Sequence, residues 1–362
     1  MPGEPRPTPY LRLDVTKASA AIEGMAAHAR SRGLALRPHA KTHKSARLGR
    51  MQLEAGAVGL TVATVGEAEV FADGGCDDLF IAYPLWVDPA KARRLAALQD
   101  RARVAVGVDS TAGIAAMAAH GIRPDVLVEV DSGHHRTGVP PAAAGDLARY
   151  AAEAGFAVRG VFTFPGHSYS TQTRASAADD EAAALAVAAQ SLAALGIPCQ
   201  VRSGGSTPSA AFAAGSVGGV GRVGDGIGGL TELRPGVYVF GDAQQVELGV
   251  CALEDVALTV VATVVSHAGG RVILDAGSKA LGADRAPWAT GFGRVQEAPD
   301  ARIVALSEHH ATVEWGSGPL PALGSRVLVV PNHVCTTVNL ADEYVLADGT
   351  GTWPVDARGR NW

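Results

Sequence analysis

The stretch Arg37-Pro38-His39-Ala40-Lys41-Thr42-His43-Lys44 decides the fold, because an apolar strand precedes it and a helical pattern follows it. Residues 34–36 predict a short buried strand, and apolar residues recur at helical spacing over 46–53. Enzymes built from alternating strands and helices place their chemistry at such a junction. We therefore expect Lys41 at the mouth of a strand and directed inward. Four basic side chains are expected to crowd around it: Arg37, His39, His43 and Lys44.

The chemistry of this octapeptide is that of a covalent cofactor site. A lysine among basic groups can act as a Schiff-base nucleophile, whereas the alternative is a basic surface loop. The octapeptide resembles the lysine motif of the D-threonine aldolase and D-serine dehydratase family of pyridoxal 5'-phosphate (PLP) enzymes, which has the alanine-racemase-like fold, PLP fold type III. The resemblance implies that Lys41 binds PLP covalently and that His39 contacts the cofactor.

Composition indicates a globular enzyme and argues against several other classes. Of 362 residues, 47% are hydrophobic and only 19% are charged, with a net charge of -5, so a nucleic-acid partner is not expected. No apolar run reaches the ~18 residues that a membrane span needs, and the proline-rich start lacks a signal core. The four cysteines form no CxxC pair, which favours a reduced, cytoplasmic protein.

Short apolar strands alternate with helices from about residue 15 to about residue 242. The predicted strands are 34–36, 59–63, 79–82, 104–108, 126–130, 158–163, 200–203 and 233–240. Eight strands with intervening helices predict a (β/α)8 barrel, although a doubly wound sheet fits the same count. The glycine-rich stretch 215–229 is predicted to be a mobile surface loop.

The pattern changes to β-branched strands after residue 242, with no predicted helix between them. These strands are 256–265, 272–274, 303–306, 311–315 and 326–330. The sequence therefore predicts a PLP-binding barrel over 15–245. An all-β domain over 246–362, joined by the N-terminal arm 1–14, would carry a metal site.

A glycine-rich turn after the seventh predicted strand is suited to an anion. Glycines let backbone N–H groups approach a phosphate, and hydroxyls add further donors. In barrels, the loops after strands seven and eight commonly bind phosphate, although a lone glycine-rich turn is a weak signal. The predicted cradle consists of Gly204, Gly205, Ser206 and Thr207.

The stretch Arg234-Pro235-Gly236-Val237-Tyr238-Val239-Phe240-Gly241 is similar to the alanine-racemase segment whose arginine faces the pyridine nitrogen. By that resemblance Arg234 holds this nitrogen unprotonated and the Gly236 backbone reaches the phosphate, with Tyr238 beside the cofactor. The alternative is a turn with a surface arginine. A guanidinium beside the ring nitrogen weakens PLP as an electron sink.

Two further loops resemble the family. Arg136, in a racemase-type segment after the fifth strand, would contact the phenolic oxygen of PLP. The neighbouring His134 and His135 are not expected to form a metal pair, because adjacent residues of an extended chain point apart. After the sixth strand, Tyr169 would lie near cofactor and substrate. Phe164 stands where relatives commonly have a histidine, so its ring can stack on the pyridine but cannot titrate.

His333 and Cys335 are the candidate metal ligands. If the segment is extended, both side chains lie on one face, and an imidazole with a thiolate suits zinc. The alternative is a buried cysteine with a structural histidine. The resemblance favours the metal, because dehydratase-like members carry His-X-Cys here and D-threonine aldolases carry His-X-Asp. Zn²⁺ is expected, with Mn²⁺ or Mg²⁺ as alternatives.

Together these motifs predict a PLP- and metal-dependent lyase of D-3-hydroxy amino acids, closest to a D-serine dehydratase and forming a homodimer. D-threonine aldolase is the alternative, in which the Cα–Cβ bond breaks. An amino-acid racemase would need a second base, and Tyr344 is the sole tyrosine after residue 245. A non-catalytic PLP carrier would resemble the barrel alone, so the additional β domain argues against it.

Overall fold

The computed structural model describes residues 6–213 and 229–362. The predicted glycine-rich loop at 215–229 lies outside the described residues except for Gly229, as do the first five residues of the arm. The chain divides into two compact units. The barrel unit contains the described residues of Ile22–Lys41, Ala46–Gly236 and Arg360–Trp362. The β unit contains those up to Ala21, together with Thr42–Ser45 and Val237–Gly359.

Eight parallel strands form the sheet of the barrel unit. Along the chain, strand β1 (Tyr10–Leu13), which pairs in the β unit, and helix α1 (Val15–Ser31) come first. The barrel strands are Ala35–Leu36 (β2), Leu60–Val62 (β3), Asp78–Pro84 (β4), Arg103–Val108 (β5), Asp125–Glu129 (β6), Val158–Phe162 (β7), Val201–Gly204 (β8) and Glu232–Leu233 (β9). The helices between them are Ala46–Glu54 (α2), Val65–Asp73 (α3), Pro89–Gln99 (α4), Thr111–Ala119 (α5), Ala144–Glu153 (α6) and Arg174–Ala193 (α7).

The two ends of this sheet meet. Strand order follows the chain from β3 to β9, and β9 pairs with β2. The amide of Thr61 in β3 donates to Pro38 O at 2.8 Å, and the amide of Ala40 donates to Thr61 O at 2.8 Å. These bonds close the sheet on itself, which confirms the predicted (β/α)8 barrel and excludes a doubly wound sheet, whose edges stay open.

The predicted strand at 233–240 is much shorter than expected. Only Glu232–Leu233 pairs as a strand, and Val237–Val239 forms a 3₁₀ turn. Pro235 lacks the N–H that a strand ladder needs, and it restricts the residue before it. The apolar run therefore forms a loop and a turn that bury Val237 and Val239 without sheet pairing.

The β unit is built on a nine-stranded sheet that includes β1. Its other strands are Leu258–Ser266 (β10), Val272–Leu274 (β11), Gly293–Val295 (β12), Arg302–Leu306 (β13), Ala311–Glu314 (β14), Arg326–Pro331 (β15), Glu343–Leu346 (β16) and Thr352–Pro354 (β17). The N-terminal strand β1 lies between β10 and β16, antiparallel to the first and parallel to the second. This pairing shows why the N-terminal arm belongs with the C-terminal part of the chain.

Three helices interrupt the strands of the β unit, where the sequence predicted none: Ala243–Glu247 (α8), Ser278–Leu281 (α9) and Val334–Leu340 (α10). Five of the seven residues of helix α10 are valine, threonine or asparagine, which have low helix propensity. Tertiary bonds hold it instead. The amide of Val334 donates to Asp242 Oδ2 at 3.1 Å, and the Thr337 hydroxyl donates to Leu281 O at 2.6 Å. The domain is therefore mostly, not wholly, β.

Among the described residues, no helix has both the length and the hydrophobicity that crossing a bilayer requires.

Candidate active site

Lys41 lies in a turn beyond the end of β2, in the barrel unit. The turn is held to β3 by the bridge between His39 and Thr61, and the Lys41 amide donates to His39 Nδ1 at 3.4 Å. The Lys41 amine is half-buried and stands 5.9 Å from the ring centre of Phe164. The expectation of a lysine at a strand mouth is thus met by a turn just beyond a two-residue strand.

One of the four predicted basic neighbours of Lys41 is held by acids of other strands. Arg37 is buried and binds two carboxylates, with Nη1 at 2.6 Å from Asp78 and Nε at 2.8 Å from Glu232. A buried guanidinium must be paired, so it turns toward these acids. Because of this pairing, its pKa is raised although burial opposes the charge.

His43 and Lys44 are also buried, in the β unit. His43 Nδ1 accepts from the Ser45 amide at 3.1 Å, and the Lys44 amine donates to Ala357 O at 3.4 Å. Both side chains hold the turn that follows the lysine. Of the predicted cluster, His39 is hydrogen-bonded to the Lys41 amide.

Predicted residues from the loops after the fifth and sixth predicted strands lie around the Phe164 ring. The Arg136 guanidinium lies 5.2 Å from its ring centre, and the Tyr169 ring lies 6.3 Å away. His134 contacts the same ring edge-on at 5.5 Å, whereas His135 binds Asp131. Residues predicted from three separate motifs therefore lie around one aromatic ring.

The glycines of the predicted phosphate cradle are packed on both sides. A Cβ at Gly204 would overlap the carboxyl of Glu181, and a Cβ at Gly205 would overlap Leu233. Gly205 also has φ of +85°, which side chains rarely adopt. Its amide donates to Glu181 Oε1 at 2.5 Å, so this N–H is committed inside the protein.

The hydroxyls of the cradle are buried as well. Ser206 and Thr207 are 2% and 4% exposed, which excludes a surface turn. Ser206 Oγ lies 2.7 Å from Ser168 Oγ and 2.9 Å from Ser209 Oγ. These bonds give the cradle a fixed shape, and phosphate binding there remains a prediction.

Arg234 is buried in the barrel and is not a surface arginine. Its guanidinium donates to Thr163 O and lies 5.3 Å from the Phe162 ring centre. Its Nε is buried with no hydrogen-bond partner among the described residues. Buried donors are normally paired, so this atom is compatible with the predicted acceptor, the pyridine nitrogen of PLP.

Three carboxylates act on the Arg234 guanidinium: Glu232, Glu181 and Glu129. Burial lowers the pKa of Arg234, and these acids oppose that effect. Gly236 follows in a half-buried loop of the barrel unit, and Tyr238 lies half-buried in the 3₁₀ turn of the β unit. Their contacts with the cofactor also remain predictions.

His333 and Cys335 meet, but not on an extended strand. His333 is extended and caps α10, whereas Cys335 lies in the first turn of that helix. The strand expectation was wrong because Asp242 binds the Val334 amide and starts a helix there. The Cys335 thiol nevertheless lies close enough to the imidazole to raise the pKa of His333.

Asp242 orients this histidine. Its buried Oδ2 lies 3.3 Å from His333 Nδ1, although the angle falls short of a full hydrogen bond. Burial disfavours the charged imidazole, but Cys335 and Asp242 raise the pKa of His333 well above its usual value. A carboxylate on one ring nitrogen is the usual support of a histidine that binds metal through the other.

The donor set is small. Cys335 Sγ lies 3.3 Å from Thr42 Oγ1, within the same unit. Across the described residues, no cluster of three or more His, Cys, Asp or Glu side chains has the geometry to hold a metal ion. The pair therefore suits a metal whose remaining ligands are water and substrate, as in catalytic sites with an open position.

The sequence did not single out Glu181 or Asp242. Glu181 lies in an alanine-rich helix, where its only signal is a charged residue at a buried position. Asp242 follows the Arg-Pro-Gly segment, and its N-cap pattern before α8 was the available signal. Tyr344, the candidate racemase base, is fully buried and donates to His43 O.

Comparison with known proteins identifies the same family that the sequence motifs resemble, and the similarity extends along nearly the whole chain. The family model described as alanine racemase, N-terminal domain, matches residues 14–244, and a serine dehydratase domain matches residues 257–347. D-threo-3-hydroxyaspartate dehydratase of Delftia sp. (strain HT23) is 35% identical over 96% of each chain. D-threonine aldolase of Arthrobacter sp. is 37% identical over 99% of this chain and 95% of that one.

Solved structures of the Delftia dehydratase superpose with a TM-score of 0.86 at 33% identity, over 99% of this chain and 98% of theirs. One of them is a cysteine-to-alanine mutant in the metal-free form. The barrel, the added β domain and the full-length similarity agree. The chain therefore belongs to the alanine-racemase-like family of PLP-dependent lyases that includes D-threo-3-hydroxyaspartate dehydratase and D-threonine aldolase.

Proposed function

We propose that this chain is a PLP- and zinc-dependent dehydratase of D-3-hydroxy amino acids. The net reaction converts the substrate to a 2-keto acid and ammonia, since the water lost from Cα and Cβ is regained when the imine is hydrolysed. The observation that carries the proposal is the pairing of His333 with Cys335, with Asp242 behind the imidazole. An imidazole and a thiolate select zinc over magnesium.

The residues of the barrel unit suit PLP, which when bound supplies an electron sink for charge developing at Cα. Lys41 would hold the cofactor and later take the α-proton. The Phe164 ring, close to the Lys41 amine, would pack on the pyridine. Arg136 and Tyr169 lie around the same ring and would orient cofactor and substrate. Arg234 would donate its unpaired Nε to the ring nitrogen.

The ligands of the β unit support dehydration more than aldol cleavage. A metal at His333 and Cys335 would bind the 3-hydroxyl, and its positive charge would help hydroxide leave. Arg234 would keep a proton off the ring nitrogen, which would disfavour a fully delocalised carbanion. Dehydration avoids that problem because charge leaves at Cβ as it develops at Cα. Aldol cleavage instead leaves a full carbanion on glycine.

The proposal extends to the assembly and the compartment. As the fold type implies, the active form would be a homodimer. All four cysteines are free, which is consistent with a reducing cytoplasm. Manganese or magnesium would be poorer occupants of a site that offers sulfur. Tyr344 is buried and bound, which argues against a racemase that uses it as a base.

Product analysis tests this function. The purified enzyme, loaded with PLP and zinc, is given D-serine, D-threonine and D-3-hydroxyaspartate. We expect a 2-keto acid and ammonia, with L-serine inert. Chelation should abolish turnover and leave the absorbance of bound PLP unchanged, and Cys335→Ala should lose zinc. Cys199→Ala, which removes a half-buried thiol of the barrel unit, should retain both.

Release of glycine and an aldehyde from D-threonine, with no keto acid from any of the three substrates, would overturn the dehydratase assignment in favour of an aldolase. Cys335→Asp installs the ligand pair of the aldolases and should move the products toward the aldehyde. Full activity and metal content in Cys335→Ala would show that the metal site is misplaced.

A further inference from the structure

A fully buried carboxyl lies against the glycines of the predicted phosphate cradle. Glu181, on α7, is 0% exposed, and its Oε1 accepts the Gly205 amide at 2.5 Å. Its second oxygen, Oε2, is buried with no hydrogen-bond partner among the described residues. Burying an ionised carboxylate with one oxygen that accepts no hydrogen bond costs free energy. This group therefore needs a function that compensates for that cost.

The cradle backbone is fitted to this carboxyl. A Cβ at Gly204 would overlap Glu181 Oε1, so a side chain there would have to displace the carboxyl. Gly205 adopts its left-handed conformation while donating to the same oxygen. Glu181 therefore holds the backbone of Gly205, immediately before Ser206 and Thr207.

Near pH 7, Glu181 is poised between its ionised and its neutral form. Burial raises its pKa to about 7, against the opposing effects of the Gly205 amide and Arg234. The other charged groups on α7 and on the elements packed against it bind elsewhere or face solvent. Asp179 and Glu153 are exposed. The others pair as follows: His167 with Asp180, Asp146 with Arg149, Arg159 with Asp78 and Asp125, Arg202 with Gly229 O, and Arg174 with Pro208 O. Within the described structure, Arg234 is thus the one charged side chain that shifts the pKa of Glu181.

A phosphate monoester carries a charge of roughly -1.5 to -2 at neutral pH. Placed at this cradle, it would repel an ionised Glu181 and favour the neutral acid. The neutral acid keeps one oxygen to accept from Gly205 and gains an O–H donor at the other. The proton comes from solvent, and no other bond changes.

We propose that Glu181 is a positioning residue of the phosphate cradle, which fixes the Gly205 turn and takes up a proton when the phosphate of PLP binds. The inference rests on the proposed binding of PLP at residues 204–207. It predicts that PLP affinity and proton uptake are linked through a residue that never touches the reacting atoms.

The test is calorimetric titration of PLP into the full-length apoprotein, in buffers of different ionisation enthalpy, which measures the protons taken up. If the phosphate shifts the carboxyl by about one pKa unit, the wild type near pH 7.5 takes up about half a proton more than Glu181→Gln. From pH 6.5 to 8.5 the wild type should also lose PLP affinity relative to the variant, up to about tenfold.

Glu67→Gln is the matched control, because Glu67 is also a buried helical glutamate that accepts a backbone amide, that of Ala63 at 2.7 Å. It should show the proton uptake of the wild type. An infrared difference spectrum of the wild type should gain a neutral carboxyl band when PLP binds, which needs no variant to fold. Equal proton uptake in wild type and Glu181→Gln, or no gain of that band, overturns the role of Glu181. Absence of PLP binding to the wild type overturns the proposed function itself.

Discussion

Arg37 and Lys41 are four residues apart in one motif but have different tasks. Lys41 stands near the Phe164 ring, whereas Arg37 enters the barrel interior and binds Asp78 and Glu232. Asp78 in turn binds Arg103 at 2.5 Å. The motif therefore combines a residue for chemistry with a residue for stability. Removing Arg37 would leave the buried Glu232 without its salt-bridge partner and Asp78 with one fewer.

We predict that Arg37→Met lowers the free energy of unfolding by about 3–5 kcal/mol at neutral pH, the usual cost of breaking a buried ion pair from one side. Burial raises the pKa of Asp78, but Arg37 and Arg103 lower it by more than burial raises it. The net pKa of Asp78 is therefore below its ordinary value. The stabilisation is therefore present above the unfolded carboxyl pKa of about 3.9 and is lost as pH falls through the lower folded pKa. Urea titrations at pH 7 and at about pH 3, below the unfolded carboxyl pKa, measure it.

Arg149→Met is the control, since it breaks an exposed pair with Asp146 and should change stability little. An Arg37→Met variant as stable as the wild type at pH 7 would show that the buried network is not needed.

At this scale the sequence identified the residues that lie in motifs. Lys41, Arg136, Phe164 and Tyr169 were predicted separately, and the structure brings them to one ring. Patterns could not show that Arg37 turns away from Lys41, because the partner acids lie on distant strands. Glu181 gave no signal, since burial of one glutamate in an alanine-rich helix depends on what packs against it.

Helix α10 shows how a short element depends on a distant side chain. Asp242 caps α8 through the Gln245 amide at 2.9 Å, binds the Val334 amide of α10 and lies beside His333 Nδ1. One carboxylate thus holds the helix that carries Cys335 and also restricts the rotation of the His333 imidazole. If the proposed metal binds at His333 and Cys335, Asp242 would couple metal binding to the position of the helix.

We predict that Asp242→Asn weakens zinc binding about 10- to 100-fold, which is typical when the carboxylate behind a ligating histidine is lost. Zinc affinity is measured by competition with a chelator. Asp88→Asn is the matched control, because Asp88 caps α4 through the Lys91 amide at 2.8 Å and belongs to the barrel unit. Unchanged zinc affinity in Asp242→Asn would remove Asp242 from the metal site.

Elements with strong periodicity were predictable, and those set by tertiary bonds were not. The barrel strands appear at the predicted places, with ends that move by one or two residues in most cases. The strand predicted at 233–240 proved much shorter, because a proline ends it. The helix at Val334–Leu340 was not predicted, because the distant Asp242 starts it. Both departures lie at the predicted cofactor and metal sites.

At the scale of the whole molecule, two units carry separate parts of the proposed chemistry. The barrel unit holds Lys41, the Phe164 ring and the cradle, and the β unit holds His333 and Cys335. The chain passes from one unit to the other at the peptide bond after Lys41. The alternation of strands and helices predicted the barrel, and the change to β-branched strands predicted the second domain. Its three helices could not be predicted from that pattern.

The central claim is that this fold binds PLP through Lys41, and borohydride reduction of the holoenzyme followed by peptide mapping tests it most directly. We predict a single reduced PLP adduct on Lys41, and none in Lys41→Ala. Two other lysines serve as internal controls: Lys44 is buried and donates to Ala357 O, and Lys279 is paired with Glu308 at 2.6 Å. An adduct on Lys44 or Lys279, or no adduct at all, would contradict the account.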